Sequence, residues 1–353
     1  MKLDPMRKKI DLLDHELLKL LNQRMELVLK LKKLKSSITD PDRELEVLQH
    51  VRRCSQNLIR SEFSDKLFGE IIKESKHIQE QDLKVVGFQG EHGAYSEVAG
   101  LSYDPSLIPI PCFDFADVFD GVKNDQFDFG IVPVENSLEG VVGQVNDLMI
   151  EADLKIIGEI IIIPIHHYFH ALREVDYRDI RIVYSHPQAL AQCHGFISRN
   201  KLEPRPFYDT AGAAKMLAQK GIKTAGVIAS KLCAEIYDLE IIKENIEDHE
   251  SNSTRFVILS KETDKGTGNK CSIIFSTRHK AGALFKVLKI FSDAGINLSR
   301  IESRPIRTEP GKYTFFLDFQ GSDKDSKVLN VIDKVKRETV MFKFMGCYKE
   351  GVK

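Results

Sequence analysis

Leu83-Lys84-Val85-Val86-Gly87-Phe88 is the point at which the hydrophobic period of this 353-residue chain changes. Before it, apolar residues recur at helical intervals. From it onward, short apolar runs of strand length alternate with amphipathic stretches. The chain therefore divides into an all-α part in front and an α/β part behind, together too long for one hydrophobic core.

Upstream, apolar residues fall at Ile10, Leu13, Leu17, Leu20, Leu21, Leu27, Val28, Leu31 and Leu34, with no Gly and no interior Pro between Pro5 and Lys35. This predicts a single helix about 45 Å long at about 1.5 Å per residue. Its own short domain cannot cover so long an apolar stripe, so a partner chain is expected to cover it. Asp40-Pro41 reads as an N-cap followed by Pro at the first helical position, opening a second helix through Arg53. A third helix is expected from Ser64 to Gln79.

Downstream, strands are expected at 84–88, 108–112, 127–134, 155–163, 181–185, 204–208, 224–229 and 255–260, with ligands at their C-terminal ends. The polar, Gly-bearing stretch 261–269 reads as a linker. Beyond it, strand 271–277, helix 281–294, strand 297–304, a turn at Glu309-Pro310-Gly311, strand 312–319, helix 324–337 and strand 341–348 make a βαββαβ, ferredoxin-like order.

Charge and composition narrow the partners. With 51 basic and 52 acidic side chains, no global field favours nucleic acid or an anionic membrane. The first 35 residues are locally basic, ten Lys or Arg against five Asp or Glu, but lack the interleaved aromatics of a nucleic-acid surface. Six scattered cysteines without a C-x-x-C pair point to a reducing cytoplasm rather than a disulfide scaffold or zinc site. No 18-residue apolar run is present to span a bilayer. His166, His167 and His170 raise a metal site, but strand alternation would separate the adjacent pair, and no metal or cofactor is expected.

Asn252-Ser253-Thr254-Arg255-Phe256 opens the apolar run Val257-Ile258-Leu259. A hydroxyl beside a guanidinium suits a carboxylate substrate that must lose a hydroxyl. Together with Gly130-Ile131-Val132-Pro133-Val134-Glu135-Asn136-Ser137-Leu138-Glu139-Gly140 and Ser185-His186-Pro187-Gln188, this stretch closely resembles the prephenate dehydratase family. The first eighty residues resemble all-helical chorismate mutases, and the last eighty an ACT regulatory domain. The resemblance implies a multidomain chain: an all-α mutase domain at 1–82, a two-lobed α/β, periplasmic-binding-protein-like dehydratase domain at 83–262 with crossings near 164 and 248, and an α+β ferredoxin-like ACT domain at 270–353. The implied activity is that of a bifunctional chorismate mutase/prephenate dehydratase of phenylalanine biosynthesis.

The mutase reaction is one pericyclic step, needing fixed cations and neutral donors but no nucleophile. The positions matching that family are Arg7, Arg24, Lys35, Asp40, Arg43, Glu44, Ser75 and Gln79. Arg24 and Lys35, eleven residues apart, return to within about 20° of one helix face, whereas Arg7 lies roughly 100° round and should serve a partner's site. Asp40 reads equally as a helix cap.

In the dehydratase, Thr254 is expected to protonate or hydrogen-bond the departing hydroxyl. Arg255 anchors a carboxylate, or braces Glu135 or Glu139. Asn136, Ser137, Ser185, Gln188, Gln192, Thr210 and Phe256 are counted as substrate contacts, and Ala211 and Gly212 follow Thr210 at a helix start whose amides suit an anion. Gly90, Gly93, Ala94, Tyr95 and Ser96 match the family's first loop, with His92 where relatives often have proline. His186 reads as a hydrogen-bonded histidine rather than a general acid.

For the regulatory part, His279, Gly282, Ala283 and Leu284, with Glu302, Ser303, Arg304 and Pro305, resemble the two phenylalanine-binding motifs of ACT domains. Asn297 and Leu298 face the same pocket from a neighbouring subunit, and Phe285 replaces a smaller aliphatic residue. Phenylalanine is thus the implied feedback inhibitor and a homodimer or tetramer the implied assembly. Two rivals differ in class. One is a phenylalanine sensor without chemistry, which would need neither Thr254 nor the eight mutase groups. The other is a fusion to an NAD-dependent dehydrogenase, which would need a G-x-G-x-x-G that Gly90-Glu91-His92-Gly93 does not supply.

Overall fold

The computed structural model describes residues 3–35, 37–55, 58–162, 164–173, 175–249, 251–263, 266–306, 309 and 311–351, the side chains of residues 3–5 and 8 excepted. Ile163 of an expected strand, Asp264 and Lys265 of the expected linker and Pro310 of the expected turn lie outside these. Two compact units form: Met1–Val85 with Asn124–Phe127, and Val86–Lys123 with Asp128–Lys353.

The first unit is helical: α1 (Leu3–Leu34), α2 (Pro41–Cys54) and α3 (Ser61–Glu80). The Asp40 carboxylate accepts the Arg43 amide at 3.1 Å, capping α2, with Pro41 in its first turn. α3 buries Ser64, Ile71, Ser75 and Gln79, three of them polar. α1 leaves Ile10, Leu13, Leu17, Leu20 and Leu27 more than half exposed.

The second unit begins with β1 (Val85–Gln89), α4 (Tyr95–Tyr103), β2 (Ile108–Cys112), α5 (Phe115–Lys123), β3 (Phe129–Asn136), β4 (Gly140–Val141), α6 (Gly143–Glu151) and β5 (Lys155–Ile162). Next come β6 (Tyr168–Leu172), β7 (Ile182–Ser185), α7 (Pro187–Gln192), α8 (His194–Arg199), β8 (Glu203–Pro206), α9 (Thr210–Lys220), β9 (Ala225–Ala229), α10 (Leu232–Ile236), β10 (Leu239–Lys243) and β11 (Thr254–Ser260). These strands build two sheets. The first has the order β2-β1-β3-β11-β5, with β4 on β3; the second is β10-β6-β9-β7-β8. The chain leaves the first sheet after Ile162 and re-enters it at Thr254, where β11 runs antiparallel between β3 and β5. The result is the two-lobed α/β architecture of binding-protein folds.

Three strands were not expected. β4 is a two-residue pairing, and β10 is an edge strand. β6 carries His170, which is wholly buried, so a polar residue occupies a core position that a hydrophobic count passes over.

The C-terminal part follows as β12 (Lys270–Ser276), α11 (Ala283–Asp293), β13 (Leu298–Pro305), β14 (Tyr313–Gln320), α12 (Ser326–Glu338) and β15 (Met341–Tyr348). Its sheet is antiparallel in the order β13-β14-β12-β15. One face packs Ile273, Phe275, Leu317 and Phe319 against Val287 and Phe291 of α11 and Val331 and Val335 of α12. β15 lies against β5, closely enough that a Cβ on Gly346 would collide with the Ile156 carbonyl. Every residue of β12 is buried, so the sheet is covered on both faces at that strand, while β13 alternates with exposed residues. No helix among the described residues is long and apolar enough to cross a membrane.

Candidate active sites

The α/β cleft is assembled where β3 ends beside β11: Asn136 and Thr254 are direct register partners. A cavity of about 510 Å³ opens there, lined among others by Thr254, Asn136, Asn252, Gln192, His167 and Tyr95. The Asn136 carbonyl accepts the backbone amides of Leu138 at 3.0 Å and Glu139 at 3.1 Å, which fixes the sense of its amide. Its nitrogen therefore donates, to Thr254 Oγ1 and to Asn252 Oδ1, each at 2.9 Å.

That sense propagates. Asn252 donates to Gln192 Oε1 at 3.2 Å, and because the same oxygen faces His167 Nε2 at 2.8 Å, the histidine carries its proton on Nε2. Burial lowers the His167 pKa, so the ring is neutral and Nδ1 is an acceptor, 3.0 Å from the Tyr95 hydroxyl. The single Tyr95 proton goes chiefly to the His166 carbonyl, the shorter contact at 2.6 Å, with His167 Nδ1 beside it, and burial holds the Tyr95 pKa well above the usual value. Two consequences face the cavity. Thr254 receives a hydrogen bond from Asn136, so its own proton is available to a ligand. Gln192 Nε2 is a buried donor without a partner among the described residues.

Of the other expected contacts, Phe256, Gln188 and Thr210 line the cavity. Ser137 and Ser185 do not. Ser137 accepts the Ser253 amide at 2.9 Å and steadies that loop, while the wholly buried Ser185 donates to the Ile228 carbonyl at 2.6 Å. The helix start at Thr210, Ala211 and Gly212 already holds an anion. Asp209 accepts the amides of Gly212 at 3.1 Å and Glu91 at 3.2 Å, and burial raises its pKa. His186 lines the cavity and caps α7 by accepting the Gln188 amide at 3.3 Å. Gly93 has φ +92°, and a Cβ there would lie 2.5 Å from Cys233 Sγ.

Arg255 points elsewhere. Strand alternation sends it to the face opposite Thr254 and Phe256. In place of Glu135 or Glu139 its partners are Glu159, Asp318 at 2.8 Å and the Tyr348 hydroxyl at 3.2 Å. The Asp318 contact is a charge contact rather than an aligned hydrogen bond. Burial opposes the guanidinium's charge, yet Asp318, Tyr348 and Glu159 outweigh it and hold its pKa above the usual value.

In the helical unit, Arg24 of α1 donates to Ser75 Oγ of α3 at 2.5 Å, and Ser75 donates to the Ile71 carbonyl at 2.6 Å. Gln79 donates to the Ser75 carbonyl at 3.2 Å. Lys35 lies 3.9 Å from Asp40, the α2 cap. Glu44 pairs with Lys76 at 2.6 Å, whereas Arg43 turns outward to Glu46 at 2.9 Å. Arg7 is exposed on α1. The fold thus brings Arg24, Ser75 and Gln79 together and leaves Arg7 and Arg43 at the surface.

The expected effector residues lie on the C-terminal sheet and its first helix. Gly282, φ +78°, caps α11 and is exposed together with His279, while Ala283 and Leu284 are half-buried. Along β13, Leu298, Glu302 and Arg304 are half-buried and alternate with exposed Ser303 and Pro305. Arg304 binds Asp147 at 2.9 Å and the Gly143 carbonyl at 3.3 Å, both on α6; Asn297 donates to Gln320 at 3.3 Å.

Residues missed by sequence reasoning are Asn252, His167 and Tyr208 as cavity groups. Asn252 and His167 stood in quoted motifs, but nothing local shows that sheet pairing brings them to Gln192.

Comparison with known proteins agrees along the whole chain. It matches chorismate mutase type II over residues 6–80, prephenate dehydratase over 86–264 and the ACT domain over 272–337. It is 34% identical over 362 residues to the bifunctional chorismate mutase/prephenate dehydratase of Aquifex aeolicus (strain VF5), covering 99% of this chain and 98% of that protein. Among solved structures, GqqA, described as a novel type of quorum quenching acylase, is 32% identical with TM-score 0.70, covering 75% of this chain and 97% of that one. A prephenate dehydratase from Arthrobacter aurescens, in complex with L-Phe, is 29% identical with TM-score 0.69, covering 75% and 90%. The chain belongs to the bifunctional chorismate mutase/prephenate dehydratase family.

Proposed function

We propose that the helical unit rearranges chorismate to prephenate and that the α/β cleft converts prephenate to phenylpyruvate, with phenylalanine as a feedback effector of the C-terminal domain. In the cleft the ring carboxylate leaves as carbon dioxide, its bonding pair flows into the ring, and the hydroxyl departs as water once protonated. The observation that carries this reading is the direction of the Asn136–Thr254 hydrogen bond, which leaves Thr254 as a donor toward the departing oxygen. Glu139 lines the same cavity, and burial, opposed by His186, keeps its carboxyl protonated to a higher pH than usual, a store for the proton that Thr254 passes on. The partnerless Gln192 amide and Gln188 take substrate oxygens. Acyl transfer by a threonine nucleophile fits less well, because the group at Thr254 Oγ1 is an amide donor and cannot take its proton.

For the mutase, Arg24 and Lys35 hold carboxylate and ether oxygens, Gln79 adds a neutral donor, Ser75 steadies Arg24 by accepting its hydrogen bond, and Arg7 reaches a second copy's site. The exposed apolar stripe of α1 supports a homo-oligomer built on that helix. We assign the domains to 1–82, 83–262 and 270–353. The exposed Gly282, His279 and Ser303 suit a phenylalanine pocket closed by a neighbouring subunit, as the L-Phe complex of the Arthrobacter relative supports. Six scattered cysteines without a C-x-x-C pair fit a cytoplasmic setting. The direct test feeds purified protein chorismate and follows its absorbance loss and then phenylpyruvate in alkali. Accumulation of prephenate without phenylpyruvate would refute the cleft assignment.

A further inference from the structure

Behind Thr254, on the face of β11 away from the cavity, Arg255 enters a buried cluster with Lys270, Glu159 and Asp318, edged by Glu350 at 3.4 Å from Lys270 and by Arg300 near Asp318. Arg255 is 9% exposed, Lys270 5%, Glu159 3% and Asp318 2%. Glu159 of β5 binds Arg255, accepts Lys270 at 3.0 Å through both oxygens, and takes the Gly351 amide at 3.0 Å. Asp318 of β14 accepts Ser272 of β12 at 2.6 Å, and that hydroxyl lies 2.6 Å from the Tyr348 hydroxyl of β15. Three strands of the C-terminal sheet thus converge on one guanidinium of the catalytic strand.

On the β3 side of that strand the register slips between Arg255 and Phe256, close to Thr254, while pairing with β5 runs unbroken from Thr254 to Ile258. On the slipped side, anchorage of the Arg255 side chain adds to what the β5 pairing does in setting where Thr254 stands.

Resting on the dehydratase reading above, we propose that Arg255 is a positioning residue rather than a substrate anchor, and that the Arg255–Glu159–Lys270–Asp318 cluster carries a change in the C-terminal sheet to Thr254. Removing one member of a buried ion cluster strands its counter-charge, so the cluster shifts as a unit instead of yielding piecemeal. An effector that displaces β12, β14 or β15 moves Arg255, and with it the hydroxyl of the preceding residue that must meet the leaving oxygen. Asp318 has a second cation near it in Arg300, which keeps the carboxylate charged while Arg255 moves.

The test uses the full chain with Asp318→Asn, which keeps the shape and removes the charge, and Ser272→Ala as a milder variant should the first fail to fold. A denaturant melt of the α/β unit serves as the folding control, mutase turnover reports the helical unit, calorimetry measures phenylalanine binding, and dehydratase kcat and KM are read with and without phenylalanine. The expected result is unchanged mutase activity, phenylalanine binding and KM, with kcat lower by on the order of tenfold and inhibition weakened by a similar factor. Ser272→Ala should move kcat and inhibition the same way by a few-fold. Wild-type kcat and full inhibition in both variants would overturn the coupling, as would equal loss of every activity, which marks a merely structural cluster. A wild-type chain that makes no phenylpyruvate would instead overturn the parent reading, and this one with it.

Discussion

The helical unit and the α/β unit invert each other's surfaces. α1 shows water its leucines, Leu20 being 61% exposed, while the α/β unit hides an arginine, a lysine and two carboxylates among its strands. Apolar surface of that extent on one helix face marks a site that one chain does not finish. Fully buried and balanced charge marks a junction that one chain completes within itself. On the reading proposed above, the two activities differ in what they need: the mutase a second copy, the dehydratase its own C-terminal sheet.

The sharpest separation comes from the two reacting centres. Thr254→Ala should lower phenylpyruvate formation by about 10²–10⁴-fold while chorismate is still consumed at the wild-type rate. Arg24→Ala should cost the mutase about 10²–10³-fold and leave turnover of supplied prephenate untouched. Should either substitution silence both reactions, the contrast between the units disappears. Leu20→Lys on the exposed stripe tests the dependence on a second copy. Sedimentation should show a smaller species, and mutase activity should fall by on the order of tenfold and recover as protein concentration rises, with dehydratase activity constant.

Smaller effects lie inside the α/β unit. Gly93→Ala should cost about 1–3 kcal/mol in denaturant melts of that unit alone, because the new methyl meets Cys233 at a left-handed backbone position. Acid gives the gentlest probe. Burial would raise the Asp318 pKa, but Arg255, Arg300, Ser272 and Lys270 together hold it below its ordinary 3.8. A carboxyl whose folded pKa is depressed contributes stability above its unfolded value and loses it as pH falls through the folded one. Stability measured from pH 7 down to about 4 should therefore stay flat for this cluster and drop only below that. Because burial lowers the pKa values of His167 and His170, they cost stability of their own below about pH 6.5; the cluster's share is therefore read as the difference from Asp318→Asn, and a difference that already falls at about pH 5–6 would mean the ion pairs are not formed.

Much of this was legible. The change of period at Leu83–Phe88, the Asp40-Pro41 cap and the βαββαβ order at the end needed only local spacing, because a helix or strand writes its own periodicity. Asn136 and Thr254 were legible as a pair only through resemblance. β6 was not, since its buried His170 breaks the apolar count.

Arg255 shows most clearly where reading along the chain stops. Composition and periodicity placed a strand at 255–260, opening on the cation Arg255. Which face the cation takes, and which carboxylates meet it, was decided by strands from residues 159, 318 and 348 packing around it. Local propensity depends on neighbours a few positions away, whereas a buried charge is placed by whichever distant groups offset its desolvation, and only the folded arrangement brings those into reach.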